Sequence, residues 1–483
     1  MTTALLSDFP DALSPMVVKE LRQGLRTRMF AGVLLVLHAL MLVITLIAGT
    51  AEDASDLDGM RLGLMGLILC FVLPLRGFSA LAGEIQRNTM DMLVLTKLSA
   101  GRIVLGKWAS LTAQSLLIAV SLLPYVVARY LYGGQDLFSE AQLLGLLWLI
   151  GAVVTAGVVC LATQRVFWLR AAVVVLFGIV PLWLGVVFLF TSAFGGGSFS
   201  SSISASYPLA SVFSDEGWLA VLLVIVFAAW AVFFFLSLAA TRVAPPSENL
   251  AILKRCIHGG VVLALVLGSY GTLDALQWLT VAVFVLSMAT IDALTEHNPA
   301  MTSLYLPFYR RGFAGRWAAW VLTPGWMTGF VFSLLLTLLV GWRFATVVGS
   351  GDGLLAVFEV VDVWMISALM LVSSGRRSRD LLGPWMVVYL IVLVVQYFLT
   401  MVSMIPASMH SQTPWGMCVL PGLAKNGHAL VQPGDEPMFL TVSAAMAGVW
   451  PLILIVATVL AAMRGRTLRR EARALAEGKD NRA

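Results

Sequence analysis

The sequence predicts an all-α polytopic membrane protein of about 12 transmembrane helices, set in two six-helix halves behind an N-terminal amphipathic elbow helix. Three observations lead there. Of 483 residues, 59% are hydrophobic and only 12% are charged, against about 25% charged in an average soluble domain. Mean hydropathy is +0.91. The apolar residues gather into runs of roughly 20, the length that crosses a bilayer as a helix. No soluble fold of this length has a core able to hide so much apolar side chain. A disordered chain, a secreted disulfide scaffold and a soluble enzyme are excluded at this step.

Residues 1–28 form the cytoplasmic elbow segment. Val17, Val18, Leu21 and Leu25 recur at helical spacing, while Lys19, Arg22 and Arg26 lie on other faces. Such a helix suits the lipid surface; it equally reads as an ordinary basic flank that sets orientation. With Asp8, Asp11, Glu20 and Arg28 also present, the stretch is too polar for a secretory signal, so the first span is expected to stay as an anchor.

Spans are expected at 29–49, 61–82, 103–127, 141–163, 171–192 and 218–241, which make a first domain over 29–241. A cytoplasmic linker at 242–257, containing Pro245-Pro246, follows. The second domain, 258–463, holds spans at 258–273, 276–291, 324–341, 354–374, 384–402 and 438–463, and a basic cytoplasmic tail closes the chain at 464–483. Spans 7 and 8 are short and separated only by Thr272-Leu273-Asp274-Ala275, as in a tight helical hairpin. Every span should be a helix, because a segment in lipid must satisfy its own backbone hydrogen bonds.

Charge supports this order. With the N-terminus inside, 25 of the 31 Lys and Arg residues fall in cytoplasmic segments and only Arg129, Arg343 and Lys425 in outer loops. That is a strong positive-inside pattern with both termini cytoplasmic. The outer loops are acidic at 50–60, Gly/Ser-rich at 193–217 and Pro-rich at 403–437. The net charge of +5 follows from the basic inner loops and does not point to nucleic acid. Cys70, Cys160, Cys256 and Cys418 form no CxxC pair, so no zinc or redox site is expected.

Catalytic machinery is missing as well. Gly101 to Lys107 fits GxxxxGK, but Trp108 stands where a P-loop needs Ser or Thr to hold Mg²⁺, and no strand precedes it. No dinucleotide fingerprint, HExxH or GxSxG element occurs. The chain is therefore expected not to be an enzyme and to need no cofactor.

The connection between spans 2 and 3 interleaves charged and apolar residues. Met90, Leu93 and Val94 share one helical face and Glu84, Arg87 and Asp91 another, before Ser99-Ala100-Gly101 breaks the pattern. An amphipathic segment here is shaped either to dock a cytoplasmic partner or to lie on the surface as a linker helix. Taken with KELRQGLRTR before span 1, the run GEIQRNTMDMLVLTKLSAGRIVLGKW resembles the membrane permease of bacterial type-2 ABC exporters. Glu84, Thr89, Asp91, Leu93, Leu98, Ser99, Ile103, Gly106 and Lys107 match the family's pattern; Asn88 and Lys97 depart from it, where Gly and Pro are usual. The resemblance covers about the first 240 residues.

It implies that Lys19, Glu20, Arg22, Arg26 and Arg28 belong to an elbow helix. It further implies that Glu84, Arg87, Thr89, Asp91, Leu93, Ser99, Gly106 and Lys107 couple the membrane domain to a separate ABC ATPase chain.

The second half lacks a copy of this pattern. Its longest inner loop, 292–323, holds Tyr305, Phe308, Tyr309, Arg310, Arg311, Phe313, Arg316 and Trp317. It reads as an aromatic and basic interfacial belt, or as a second cytoplasmic contact made by Arg310, Arg311 and Arg316. Asp292, Glu296 and His297 beside Asn298-Pro299 suggest helix-end chemistry rather than a metal site.

Polar residues inside spans are the remaining candidates. Pro74 should disturb span 2, and Arg76 should snorkel to the inner surface. Glu359 and Asp362, one turn apart, would line a substrate route, pair with Arg343 or act structurally. His38, Gln114 and Gln396 should bond between helices.

The expected function is the permease subunit of an ATP-driven exporter in the bacterial inner (plasma) membrane. Its partners would be a separate ATPase, the lipid bilayer, and a second copy or a second permease. The rivals are an ion-coupled secondary transporter of 12 spans and a non-transporting membrane scaffold for an ATPase.

Overall fold

A computed structural model describes residues 15–50, 55–78, 99–132, 137–163, 218–245, 248–271, 275–298, 301–373, 381–410, 417–418, 420–422, 424, 431 and 434–477. Among them 89% are helical and none lies in a strand. Among the described residues, ten helices are long and apolar enough to cross a membrane. Large apolar side chains such as Leu35 (70% exposed) and Val394 (65%) face outward from these helices. Rows of such side chains in water would be unfavourable, whereas in lipid they need no cover. The chain is an all-α, multi-pass membrane protein.

It divides into two compact units, Met1–Ala244 and Pro245–Ala483. In the first unit, α1 (Pro15–Leu25) precedes α2 (Arg28–Ala48). Thr27 caps α2, its side chain accepting from the Phe30 amide. Helix α3 (Ser55–Leu67) passes into a π-turn at Ile68–Val72. Pro74, two residues on, has no N–H to donate into the turn before it, which suits a local change of register. Helices α4 (Ala100–Ser121) and α5 (Leu123–Leu131) make one apolar stretch, Ala100–Leu131, interrupted at Leu122 just before Pro124. Helices α6 (Leu137–Ala162) and α7 (Trp218–Val243) complete the described part. The expected fifth span, 171–192, lies outside the described residues.

Leu37 and Met41 of α2, Leu69 of the π-turn, Ile118 of α4 and Leu144 of α6 meet in one buried cluster. Small residues set the closest approach. A Cβ on Gly151 of α6 would stand 2.4 Å from the Leu69 carbonyl oxygen, so only glycine admits the backbone there.

The second unit begins with the hairpin α8 (Ala251–Gly268) and α9 (Ala275–Leu294). Both helices extend further at their polar ends than the expected spans 258–273 and 276–291. The expected inner loop at 292–323 is largely folded. It contains a 3₁₀ turn at Thr302–Leu304, then α10 (Leu306–Tyr309) and α11 (Gly312–Leu322). Helices α12 (Trp326–Val348), α13 (Ser350–Ser373), α14 (Leu382–His410) and α15 (Glu436–Arg464) follow. Helix α14 continues eight residues past the expected end at 402, into what reads as an outer loop. The tail is also helical, as α16 (Arg466–Ala476).

Candidate functional site

Two polar assemblies stand out, one in each unit. In the first, the elbow helix α1 is fastened to α4. Lys107 of α4 is 1% exposed, and its Nζ lies 3.3 Å from Glu20 Oε1 of α1. One turn along α1, Gly24 packs on the Gln114 side chain of α4; a Cβ at Gly24 would fall 2.2 Å from Gln114 Nε2. Arg76, expected to snorkel to the inner surface, donates from Nη2 to the Gly24 carbonyl (3.2 Å) and Thr27 Oγ1 (3.3 Å). Its guanidinium sits 5.5 Å over the Phe30 ring.

Some of the expected elbow and coupling residues fall among the described residues. Glu20 and Lys107 come together. Lys19, Arg22, Arg26 and Arg28 are exposed. Gly106 is buried in α4, and Ser99 precedes that helix in extended backbone, its carbonyl accepting from the Arg102 and Ile103 amides. Glu84, Arg87, Thr89, Asp91 and Leu93 lie outside the described residues. Gly101 to Lys107 is continuous helix, so the GxxxxGK likeness carries no phosphate loop.

The second assembly joins Asp292 and Glu296, which the sequence offers as helix-end groups, to two cations that it places in the linker. Lys254, Arg255 and His258 of α8 are buried against Asp292 and Glu296 at the end of α9. Lys254 Nζ lies 2.8 Å from Asp292 Oδ1 and 2.6 Å from Glu296 Oε1. Arg255 Nη2 lies 2.6 Å from Glu296 Oε2 and 3.1 Å from the Gly325 carbonyl. Arg255 Nη1 donates to the carbonyls of Val321 (2.5 Å) and Thr323 (2.8 Å) and to Thr328 Oγ1 (3.0 Å). His258 Nε2 stands 3.6 Å from Asp292 Oδ2. Gly325, at φ +127°, accepts this crowding because it has no Cβ to meet Asn298.

Basic residues of α8 and the carboxylates of Asp292 and Glu296, four positions apart at the end of α9, thus interlock across the hairpin and tie it to the turn before α12. Asp292 and Glu296 are not a metal cluster with His297; their carboxylates are turned to two cations of α8.

Other polar expectations resolve locally. His38 bonds through Nδ1 with Tyr125 (3.1 Å) and through Nε2 with Ser121 (3.0 Å). Asp362 accepts from Gln396 Nε2 at 3.1 Å through both oxygens. Arg343 turns to the end of α8. It donates to the Ser269 hydroxyl (3.0 Å) and carbonyl (2.8 Å) and lies 3.8 Å over the Tyr270 ring.

The C-terminal helix α16 packs on α10 and the 3₁₀ turn. Arg316 Nη2 lies 3.3 Å from Glu477 Oε1, which also receives Arg473 Nε at 2.8 Å. Arg469 bonds the Ala462 carbonyl and stacks 5.0 Å over Trp320. Burial pushes the Tyr305 phenol above its ordinary value, opposed by the charge of Arg469. Arg310 and Arg311 stay exposed.

Compared with known proteins, this chain has no match: no family model, no curated protein and no solved structure matches it.

Proposed function

We propose that this chain is the membrane-spanning permease subunit of an ATP-binding cassette transporter, an exporter driven by an ATPase on a separate chain. The observation that carries the proposal is the Glu20–Lys107 contact. The two segments that resemble the permease family lie 87 positions apart in sequence at these residues, and they meet in space. Segment 79–98 leads directly into α4, and α4 holds the elbow helix through Lys107 and Gln114. A push on 79–98 by a closing ATPase would therefore travel into α4 and α1 together. Glu84, Arg87 and Asp91 would supply the charged contacts to the ATPase. Nucleotide can bias such a two-state device only through contacts that differ between the states. On this reading both termini and the basic loops face the cytoplasm of a bacterium, and a second copy or a second permease completes the pore.

The test is co-purification of the full chain with an ABC ATPase from its native cells. Retention that is lost on Glu84→Lys or Asp91→Lys supports the coupling role. Full retention in both variants overturns it.

One observation favours a second reading, an ion-coupled secondary transporter: Lys254, Arg255, Asp292 and Glu296 are buried together at the ends of two candidate spans. Buried charges in a membrane often mark ion pathways. Uptake or efflux by proteoliposomes of the chain alone, abolished by collapsing the proton gradient, would select that reading.

A further inference from the structure

We infer that the exposed face of the α10–α11–α16 platform binds the headgroups of anionic phospholipids. The platform's arginines fall into two sets. Arg316, Arg469 and Arg473 are engaged within the chain, on Glu477, the Ala462 carbonyl and the Trp320 ring. Arg310, Arg311, Arg466 and Arg470 are exposed, and their side chains bond to nothing among the described residues. Arg466 and Arg470 are one turn apart on α16, on the face opposite its buried Ala472.

A second, independent feature follows Arg310 and Arg311 within seven positions of the sequence. Phe313 and Trp317 of α11 are 75% and 65% exposed, with ring centroids 6.2 Å apart in edge contact. In water this pair would be a costly apolar patch. At a bilayer interface it is an anchor, since aromatic rings settle at headgroup depth.

The chain itself sets that depth. Only Thr323–Gly325 separates α11 from the candidate span beginning at Trp326, and only Gly465 separates α16 from the span ending at Arg464. Neither helix can stand far from the membrane boundary. Arginines held there with no acid to meet them have the phosphate of an anionic lipid as their nearest counter-charge. A cytoplasmic protein is the less fitting occupant, because the aromatic pair would then have to leave the interface to reach it.

The inference does not depend on the permease reading; it needs only that the chain spans a membrane. The experiment uses full-length protein in nanodiscs of phosphatidylcholine and phosphatidylglycerol in equal parts. Photoactivatable probes of each lipid carry the reactive group near the headgroup, and cross-linked peptides are mapped by mass spectrometry. The phosphatidylglycerol probe should label 310–317 and 466–475 several-fold more than the phosphatidylcholine probe. The excess should fall with each arginine removed, and R310Q/R311Q/R470Q should abolish it while thermal unfolding stays unchanged. Molar salt should also reduce it. Equal labelling by both probes in the unaltered protein, or an excess that survives the triple substitution, would overturn the inference.

Discussion

The Lys254 ammonium lies 2.8 Å from the Asp292 carboxylate, and both side chains are almost wholly withdrawn from the surface. The two residues are equidistant from Leu273, each nineteen positions away in the chain. In a helical hairpin, residues equidistant from the turn share a depth, so α8 and α9 bring these charges level. Glu296 then lies within reach of both Lys254 and Arg255, and each charge meets an opposite partner. Burying ions is expensive, and full pairing is what makes this burial tolerable.

Removing one member should therefore cost more than removing a pair. Asp292→Asn leaves Lys254 and His258 facing one fewer carboxylate and should destabilise the second unit by about 3–5 kcal/mol. Lys254→Met combined with Asp292→Leu should recover a large part of that loss, because an apolar pair of similar volume needs no counter-charge. Thermal unfolding of the single and double variants in detergent checks this. A double variant as unstable as the sum of its singles would show that the pair is not the coupled unit.

A backbone contact should prove as sensitive as the charges. A Cβ on Gly329 of α12 would stand 2.1 Å from the Ala293 carbonyl oxygen of α9. Gly329→Ala must push the two helices apart and should cost about 1–3 kcal/mol. Gly260→Ala on α8, where a Cβ meets nothing within 4 Å, should be neutral or stabilising by up to about 1 kcal/mol. The unfolding temperature should fall in Gly329→Ala and hold or rise in Gly260→Ala, and equal losses in both would rule out the steric explanation.

What could be read from the sequence follows from how local each signal is. Apolar runs announce helices one at a time, so α2, α6, α7, α12, α13 and α15 appear close to where they were expected. The start of α8 was hidden because Lys254 and Arg255 look like the end of a loop when their partners lie about forty residues downstream. The only clue was the i, i+4 spacing of Lys254 with His258 and of Asp292 with Glu296, on consecutive helices. Tyr305 and Phe308 looked like an interfacial belt, yet both are buried. Their cover comes in part from α16, a tail whose abundant arginines gave no local sign of docking. Lys107 could be picked out as part of a motif, but its contact with Glu20 depends on tertiary structure.

The elbow should loosen when that contact is removed. Glu20→Ala takes the carboxylate from a lysine that is 1% exposed, and a hydrogen bond to a charged group is worth about 1.5–3 kcal/mol. Proteinase K should then cut within 15–27 about tenfold faster, while Lys19→Ala, an exposed position on the same helix, should leave the rate unchanged. Equal protection in both variants would mean that packing of Gly24 on Gln114 holds the elbow without the ion pair.

Alkaline pH should release α16. Burial favours the neutral Tyr305 phenol and raises its pKa above the ordinary value near 10. A group with a raised folded-state pKa gives its full stabilisation below the unfolded value and loses it as pH climbs through the folded one. Docking of α16 on the 3₁₀ turn and α10 should therefore hold at pH 8 and weaken above about pH 10. Spin labels at Ala314 and Leu475, both exposed, report the separation of α11 and α16. Their distance distribution should broaden above that pH in the unaltered protein and stay narrow in Tyr305→Phe, which has no phenol to ionise. Parallel broadening in both proteins would assign the transition to another group.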